Sequence, residues 1–273
     1  MDNLKRRKPI LAFLLSLVTP GLGQIYNGQF KKGISYLAGL DLAYIAFSFL
    51  LLKFYGFILF LSIMIGFILL VLIDAVRGAK RLKAIEPKSY NKWYTYLIIF
   101  LISNLAVVPL LRWAVRDNIA KAYTTPSSTM APTLLAGDCL VADMRIYKSQ
   151  KPQRGNIIIF EYPIDPSKQF IKRVIAIEDE KVELINNKIY INDKLLDDPW
   201  GHFEAGGLIK GPPILDTFRP VVVPKDSLFV LGDNRNNSED SRSWGFLAIK
   251  KVKGKALYLY WAKDKSRIGT ELK

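Results

Sequence analysis

Residues 126–134 read Pro-Ser-Ser-Thr-Met-Ala-Pro-Thr-Leu. The segment is rich in hydroxyls, is stiffened by two prolines, and follows the last of several long apolar stretches. It marks the point where the pattern of a membrane helix ends and that of a β domain begins. Further on, Lys172 stands alone as an amine among Phe170-Ile171-Lys172-Arg173-Val174-Ile175, an apolar strand. A hydroxyl nucleophile and a lysine that the interior can deprotonate form a hydrolytic pair that needs no histidine. A Ser/Thr turn followed by a snorkelling lysine fits the same spacing equally well.

Downstream of residue 124 the chain consists of short β-prone runs separated by turn signals. Ile157–Phe160 is continuously apolar, as in a strand buried on both faces. Val182–Ile185 and Lys188–Ile191 flank Asn186-Asn187, the signature of a two-residue hairpin. Leu228–Leu231 and Ala256–Trp261 complete a mostly antiparallel β domain, and residues 197–220 read as a long irregular insertion.

Upstream, half of the 273 residues of the chain are hydrophobic, and they are unevenly spread, crowding into the first 115 positions. The expected organisation is a membrane module over 1–93, an anchor over 94–113, a catalytic domain over 120–262 and a basic tail over 263–273. Within the module, 10–26 is broken by Pro20-Gly21 and reads as a re-entrant segment, while 34–52 and 57–73 have the length of spans. The net charge of +15 gathers beside these stretches, at Lys5–Lys8, Lys31-Lys32 and the 77–92 loop. That is the distribution of cytoplasmic loops beside anionic lipid, so the phospholipid bilayer is the expected partner and nucleic acid is not. Three spans put the C-terminal domain on the far side, whereas a fourth breaks the charge pattern. Asp74, near Arg77, reads as interfacial, and Asp41 as paired inside the helix bundle.

One cysteine, Cys139, excludes an internal disulfide, and with one histidine, His202, a Cys/His zinc site is not expected. His202 lies in the polar stretch Trp200-Gly201-His202-Phe203 and reads as a loop residue rather than a base.

Four blocks, in order, now carry a resemblance: Pro126–Leu134, Arg154–Ile158, Phe170–Val174 and Gly232–Gly245. The last, Gly-Asp-Asn-Arg-Asn-Asn-Ser-Glu-Asp-Ser-Arg-Ser-Trp-Gly, is long and specific. Together they resemble the bacterial type I signal peptidases, membrane-bound endopeptidases with a Ser/Lys dyad. The resemblance covers residues 120–262 and leaves 1–93 outside it. It implies a mainly β soluble catalytic domain, of signal-peptidase-like antiparallel fold, preceded by an α-helical transmembrane region.

Carried over residue by residue, the resemblance puts the nucleophile at Thr129, where the family has serine. The extra methyl stiffens χ1 and crowds the carbonyl carbon under attack. Ser128 is the alternative nucleophile, but on an extended segment its side chain points to the opposite face. Lys172 matches the general base. Phe170, Lys172 and Val174 share a strand face, so burial is expected to lower the amine's proton affinity, with Arg173 on the other face reaching solvent or a partner. The resemblance further implies Ser127 as an oxyanion donor, Met130 as a residue that dries the dyad, and Ser238 as the serine orienting the lysine amine. Asp240 and Arg242 match a structural ion pair, Asp233 belongs to the supporting turn, and Asn236 replaces a family aspartate.

The function implied is removal of signal peptides from exported preproteins at the bacterial cytoplasmic membrane. The catalytic domain then lies on the periplasmic or extracellular side, the secretion translocon is a further candidate partner, and no metal or organic cofactor is implied. Two alternatives stand beside it: a catalytically dead homologue that binds exported chains, and a lysine-dyad protease with a narrow secretion substrate.

Overall fold

The computed structural model describes residues 5–82, 84–203 and 218–273. The chain divides into two compact units, Met1–Asn118 and Ile119–Lys273.

The first unit is helical. Helices α1 (Pro9–Val18) and α2 (Leu22–Tyr26) meet at a sharp turn. Gly21 makes that turn with φ 98°, and a Cβ there would lie 2.2 Å from the Gly33 carbonyl oxygen, so only glycine fits. Helix α3 (Phe30–Phe47) ends in a 3₁₀ turn over Ser48–Leu52, and α4 spans Phe54–Leu82. Helix α5 (Trp93–Ile102) passes through a π turn into α6 (Val108–Asn118). The runs Phe30–Leu52, Phe54–Leu82 and Trp93–Asn118 are long and apolar enough to cross a membrane. Two short strands, β1 (Lys5–Arg6) and β2 (Ala84–Ile85), pair antiparallel. Helix α4 continues beyond residue 73 into the basic stretch, because no proline stops it and Lys80 and Arg81 in its last turn suit the helix C-terminus.

Polar side chains inside this unit find partners. Gln24, wholly buried, donates to the Val71 carbonyl at 2.8 Å and to Asp74 Oδ2 at 3.1 Å. Asp74 pairs with Lys32 at 2.6 Å rather than with Arg77, since α3 packs along α4 and brings the lysine in. Asp41 lacks the expected bundle partner: among the described residues it forms no ion pair.

The second unit consists of antiparallel sheets. Its strands are β3 (Ala120–Thr124), β4 (Cys139–Asp143), β5 (Ile157–Glu161), β6 (Gln169–Ala176), β7 (Lys181–Ile185), β8 (Lys188–Ile191), β9 (Lys194–Leu195), β10 (Phe218–Val222), β11 (Ser227–Leu231), β12 (Leu247–Ala248) and β13 (Val252–Trp261). Seven form one sheet in the order β12-β11-β6-β5-β13-β4-β3, and four form another in the order β10-β7-β8-β9. Strand β5 explains its unbroken apolar run, because both faces are covered. Ile157 and Ile159 pack with Met130, Leu134 and Leu259, while Ile158 and Phe160 pack with Val174, Leu228 and Val230. The β7–β8 turn has Asn186 and Asn187 at φ 49° and 64°, as a two-residue hairpin requires. Of the expected irregular insertion, 204–217 lies outside the described residues, and the chain is already a strand at 218, paired to the edge of β7.

Candidate active site

Three pieces of backbone build the site: the 126–134 turn, strand β6, and the loop and short helix α7 (Ser241–Trp244) that follow β11. Strand β6 holds Lys172 at the middle of the large sheet, opposite Ile158 on β5. With Phe170 and Val174 flanking it on its own face, the side chain is 2% exposed. Burial is the main reason that its pKa falls from 10.5 to about 8. Asp240, Glu239 and Asp233 pull the value upward, and Arg242 downward, but desolvation outweighs them.

Lys172 Nζ donates to Thr129 Oγ1 at 3.1 Å. Once the amine is deprotonated, its lone pair faces the same hydroxyl, which is the geometry of a general base and its nucleophile. The 126–134 segment is bent rather than extended. Ser128 nevertheless turns away, and its hydroxyl meets Asn237 Nδ2 at 3.4 Å. Ser127 Oγ lies 3.4 Å from Thr129 Oγ1, close enough for a donor to a charge developing beside that oxygen. Met130 is buried at 1% and anchors the turn in the core next to Leu134.

The loop after β11 locks these pieces together. Asn234 N–H donates to the Thr129 carbonyl at 3.2 Å, joining the two turns through backbone. Gly232 permits the approach: a Cβ there would lie 2.1 Å from Ser238 Oγ and 2.5 Å from the Thr129 carbonyl oxygen. Asp240 and Arg242 form a buried ion pair with two bonds of 2.9 Å, and Asp240 Oδ2 also accepts from Gly232 N–H at 3.0 Å.

Three features depart from the sequence reading or escape it. Ser238 is buried beside Gly232, but among the described residues its hydroxyl has no hydrogen-bond partner, and Lys172 bonds Thr129 instead. Of the two outcomes expected for Arg173, solvent or a partner, it has the partner, whose identity the sequence did not reveal. Its guanidinium is wholly buried and doubly bonded to Asp233, which is thus more than a turn residue. Arg235 is likewise buried, and pairs with Asp198 while its Nε donates to the Gly232 carbonyl at 3.0 Å. This last pair, with the backbone bonds between His202 and residues 233 and 235, fastens the 198–202 stretch to the site loop. His202 itself is an exposed loop residue whose links here are through backbone. The signal for such pairs lay in composition alone: buried arginines need carboxylates.

A groove of about 260 Å³ opens over the dyad, with Tyr123, Met130, Ile159 and Ile171 among its apolar walls and Ser127, Thr129, Gln169, Lys172 and Glu239 among its polar lining. It is a place where an extended peptide can present a carbonyl to the hydroxyl.

Residues 93–261 match the family model described as signal peptidase, peptidase S26. A probable signal peptidase I-2 of Synechocystis sp. is 34% identical over 194 residues, covering 69% of this chain and 81% of that protein. The signal peptidase I of Aquifex aeolicus is 32% identical, over 59% of this chain and 83% of its own length. The signal peptidase IB of Staphylococcus aureus is 30% identical, over 60% and 90%. A crystal structure of a signal peptidase I from Enterococcus faecalis matches 39% of this chain and 97% of its own, at 32% identity and TM-score 0.33.

Proposed function

The chain belongs to the signal peptidase family S26, and from that premise we propose a membrane-anchored endopeptidase that cleaves signal peptides from exported preproteins with Thr129 as nucleophile and Lys172 as general base. The observation that carries the proposal is the 3.1 Å contact between the Thr129 hydroxyl and an amine whose pKa burial lowers to about 8.

In this reading Lys172 takes the hydroxyl proton as Thr129 Oγ1 attacks the scissile carbonyl carbon. The oxyanion that forms is met by the Thr129 backbone N–H and by Ser127 Oγ, a type of donor whose loss costs about 10²–10³ in rate. The lysine then returns its proton to the leaving amine, and water, activated by the same amine, hydrolyses the ester. Asp233, Asp240 and Arg242 support the site by holding the loop whose Asn234 N–H meets the Thr129 carbonyl, and Ser238 packs beside Gly232 within that loop. The helical runs Phe30–Leu52, Phe54–Leu82 and Trp93–Asn118 serve as three spans, so that Lys5–Lys8 and the 77–92 loop are cytoplasmic and the β unit faces the exported chains.

One observation favours a second reading, a non-cleaving homologue that binds exported chains: the nucleophile position carries a β-branched residue, whose methyl crowds the attack trajectory. The deciding experiment is incubation of the purified protein with a preprotein carrying a small-x-small site, followed by mass spectrometry. Cleavage at that site supports the peptidase, and an intact preprotein that stays bound supports the second reading.

A further inference from the structure

The groove over the dyad carries a charge that the cleavage chemistry leaves idle. Glu239 lines it beside Thr129 and Lys172, and its side chain is exposed. The other two acids of the 232–245 block are each held by an arginine, Asp233 by Arg173 and Asp240 by Arg242. Glu239 has no such partner: among the described residues no lysine or arginine forms an ion pair with it. Nor is the carboxylate free to swing away. Tyr162 Oη donates to Glu239 Oε1. The Tyr162 ring stacks on Phe170, with centroids 4.3 Å apart and planes at 13°. Phe170 precedes Lys172 by two residues on β6, so the carboxylate is tied to the strand that carries the buried amine.

A fixed, unpaired carboxylate on the wall of a peptide groove is an electrostatic filter. We infer that Glu239 selects among substrates by charge, favouring a peptide with lysine or arginine at the one position that comes alongside it and disfavouring an acidic residue there. The inference rests on the groove being the cleft for the preprotein. A different role, in which Glu239 acts only through the proton affinity of Lys172, has its own signature. Lys172 is faced by Asp240, Glu239, Asp233 and Arg242, so removing one acid would shift the pH dependence of cleavage equally for every substrate.

The test is a set of peptides with one small-x-small site, scanned with Lys, Ala or Glu one position at a time on both sides of it. Binding by fluorescence anisotropy and kcat/KM by product analysis are read for wild type, Glu239→Gln and Glu239→Lys at low and high salt. At one position the lysine peptide should exceed the glutamate peptide by about three- to fivefold in both readouts, less at high salt. Glu239→Gln should bring that ratio to about one, and Glu239→Lys should reverse it. The same ratio in wild type and Glu239→Gln overturns the inference, as does a pH shift common to all peptides with no change in their ranking. A wild type that binds with the preference but cleaves nothing overturns the peptidase reading and leaves this one standing, while cleavage without any preference does the reverse. A wild type that neither binds nor cleaves overturns both.

Discussion

Arg173 grips Asp233 through two parallel bonds, Nε to Oδ1 at 2.8 Å and Nη2 to Oδ2 at 2.7 Å, with both side chains wholly buried. Its neighbour on the strand, Lys172, is buried almost as deeply, but among the described residues no carboxylate is bonded to it. One strand therefore holds a permanently charged cation that is fully compensated and an amine that burial drives toward neutrality. Removing one partner of such a pair strands the other charge, which costs about 3–5 kcal/mol. Asp233→Ala should lose that much in urea unfolding of the purified protein. A loss under about 1 kcal/mol would mean that water or another acid already compensates Arg173.

Lys172→Met should abolish cleavage and leave the fold intact. The amine's pKa is about 8 in the folded protein against 10.5 for a lysine free in water, so the unfolded chain binds more protons between those values. Stability from this group consequently rises with pH across that window, and below about pH 8 the penalty is fully present. Methionine removes the penalty, on the order of 3 kcal/mol at most. Unfolding at pH 7 should show equal or greater stability for the variant, and residual activity above a small fraction would exclude Lys172 as the base.

Cleavage itself should climb with pH. Only the neutral amine can accept a proton, so kcat/KM measured from pH 6 to 10 should rise with a midpoint near 8. A midpoint below 7 would point to a histidine, and His202 is the one available.

The hydroxyls can be separated by substitution. Thr129→Ser removes one methyl from the attacking residue, and cleavage should be kept or should rise. Thr129→Ala should lower kcat by on the order of 10⁴-fold or more, as loss of a covalent nucleophile does. Ser128→Ala should have little effect, because its hydroxyl faces Asn237. Full activity in Thr129→Ala with loss in Ser128→Ala would show that Ser128 is the nucleophile, and activity appearing only in Thr129→Ser would favour the non-cleaving reading.

Topology is accessible to compartment reporters. Fusions at residues 85 and 262 should report opposite sides of the membrane, because a single span, Trp93–Asn118, lies between them. The same side from both would sink the three-span arrangement and the access to exported chains.

The strand pattern was legible because its physics is local. Ile157–Phe160 shows its double burial in four consecutive apolar residues, and Asn186-Asn187 shows its turn in two. The meeting of Thr129 with Lys172 was legible through the motif blocks, and alternation along β6 explained the burial of the amine. What escaped was long-range pairing. Nothing near Arg173 announces Asp233, sixty residues on, and nothing near Asp198 announces Arg235. The solitary hydroxyl of Ser238 was equally hidden, since a motif gives a residue's place but not which way its side chain turns.

Gly232–Gly245 is packed less with hydrocarbon than with ions: Arg173 takes Asp233, Arg235 takes Asp198 and Arg242 takes Asp240. An apolar loop can slide by a residue and still bury grease. This one cannot, because a shift of register breaks the two pairs that reach outside the loop, Arg173–Asp233 and Arg235–Asp198, and strands their buried charges at a cost of several kcal/mol each. The ion pairs thus act as a key code for the loop's register, and it is that register which brings Asn234 N–H to the Thr129 carbonyl and sets the hydroxyl opposite the lysine.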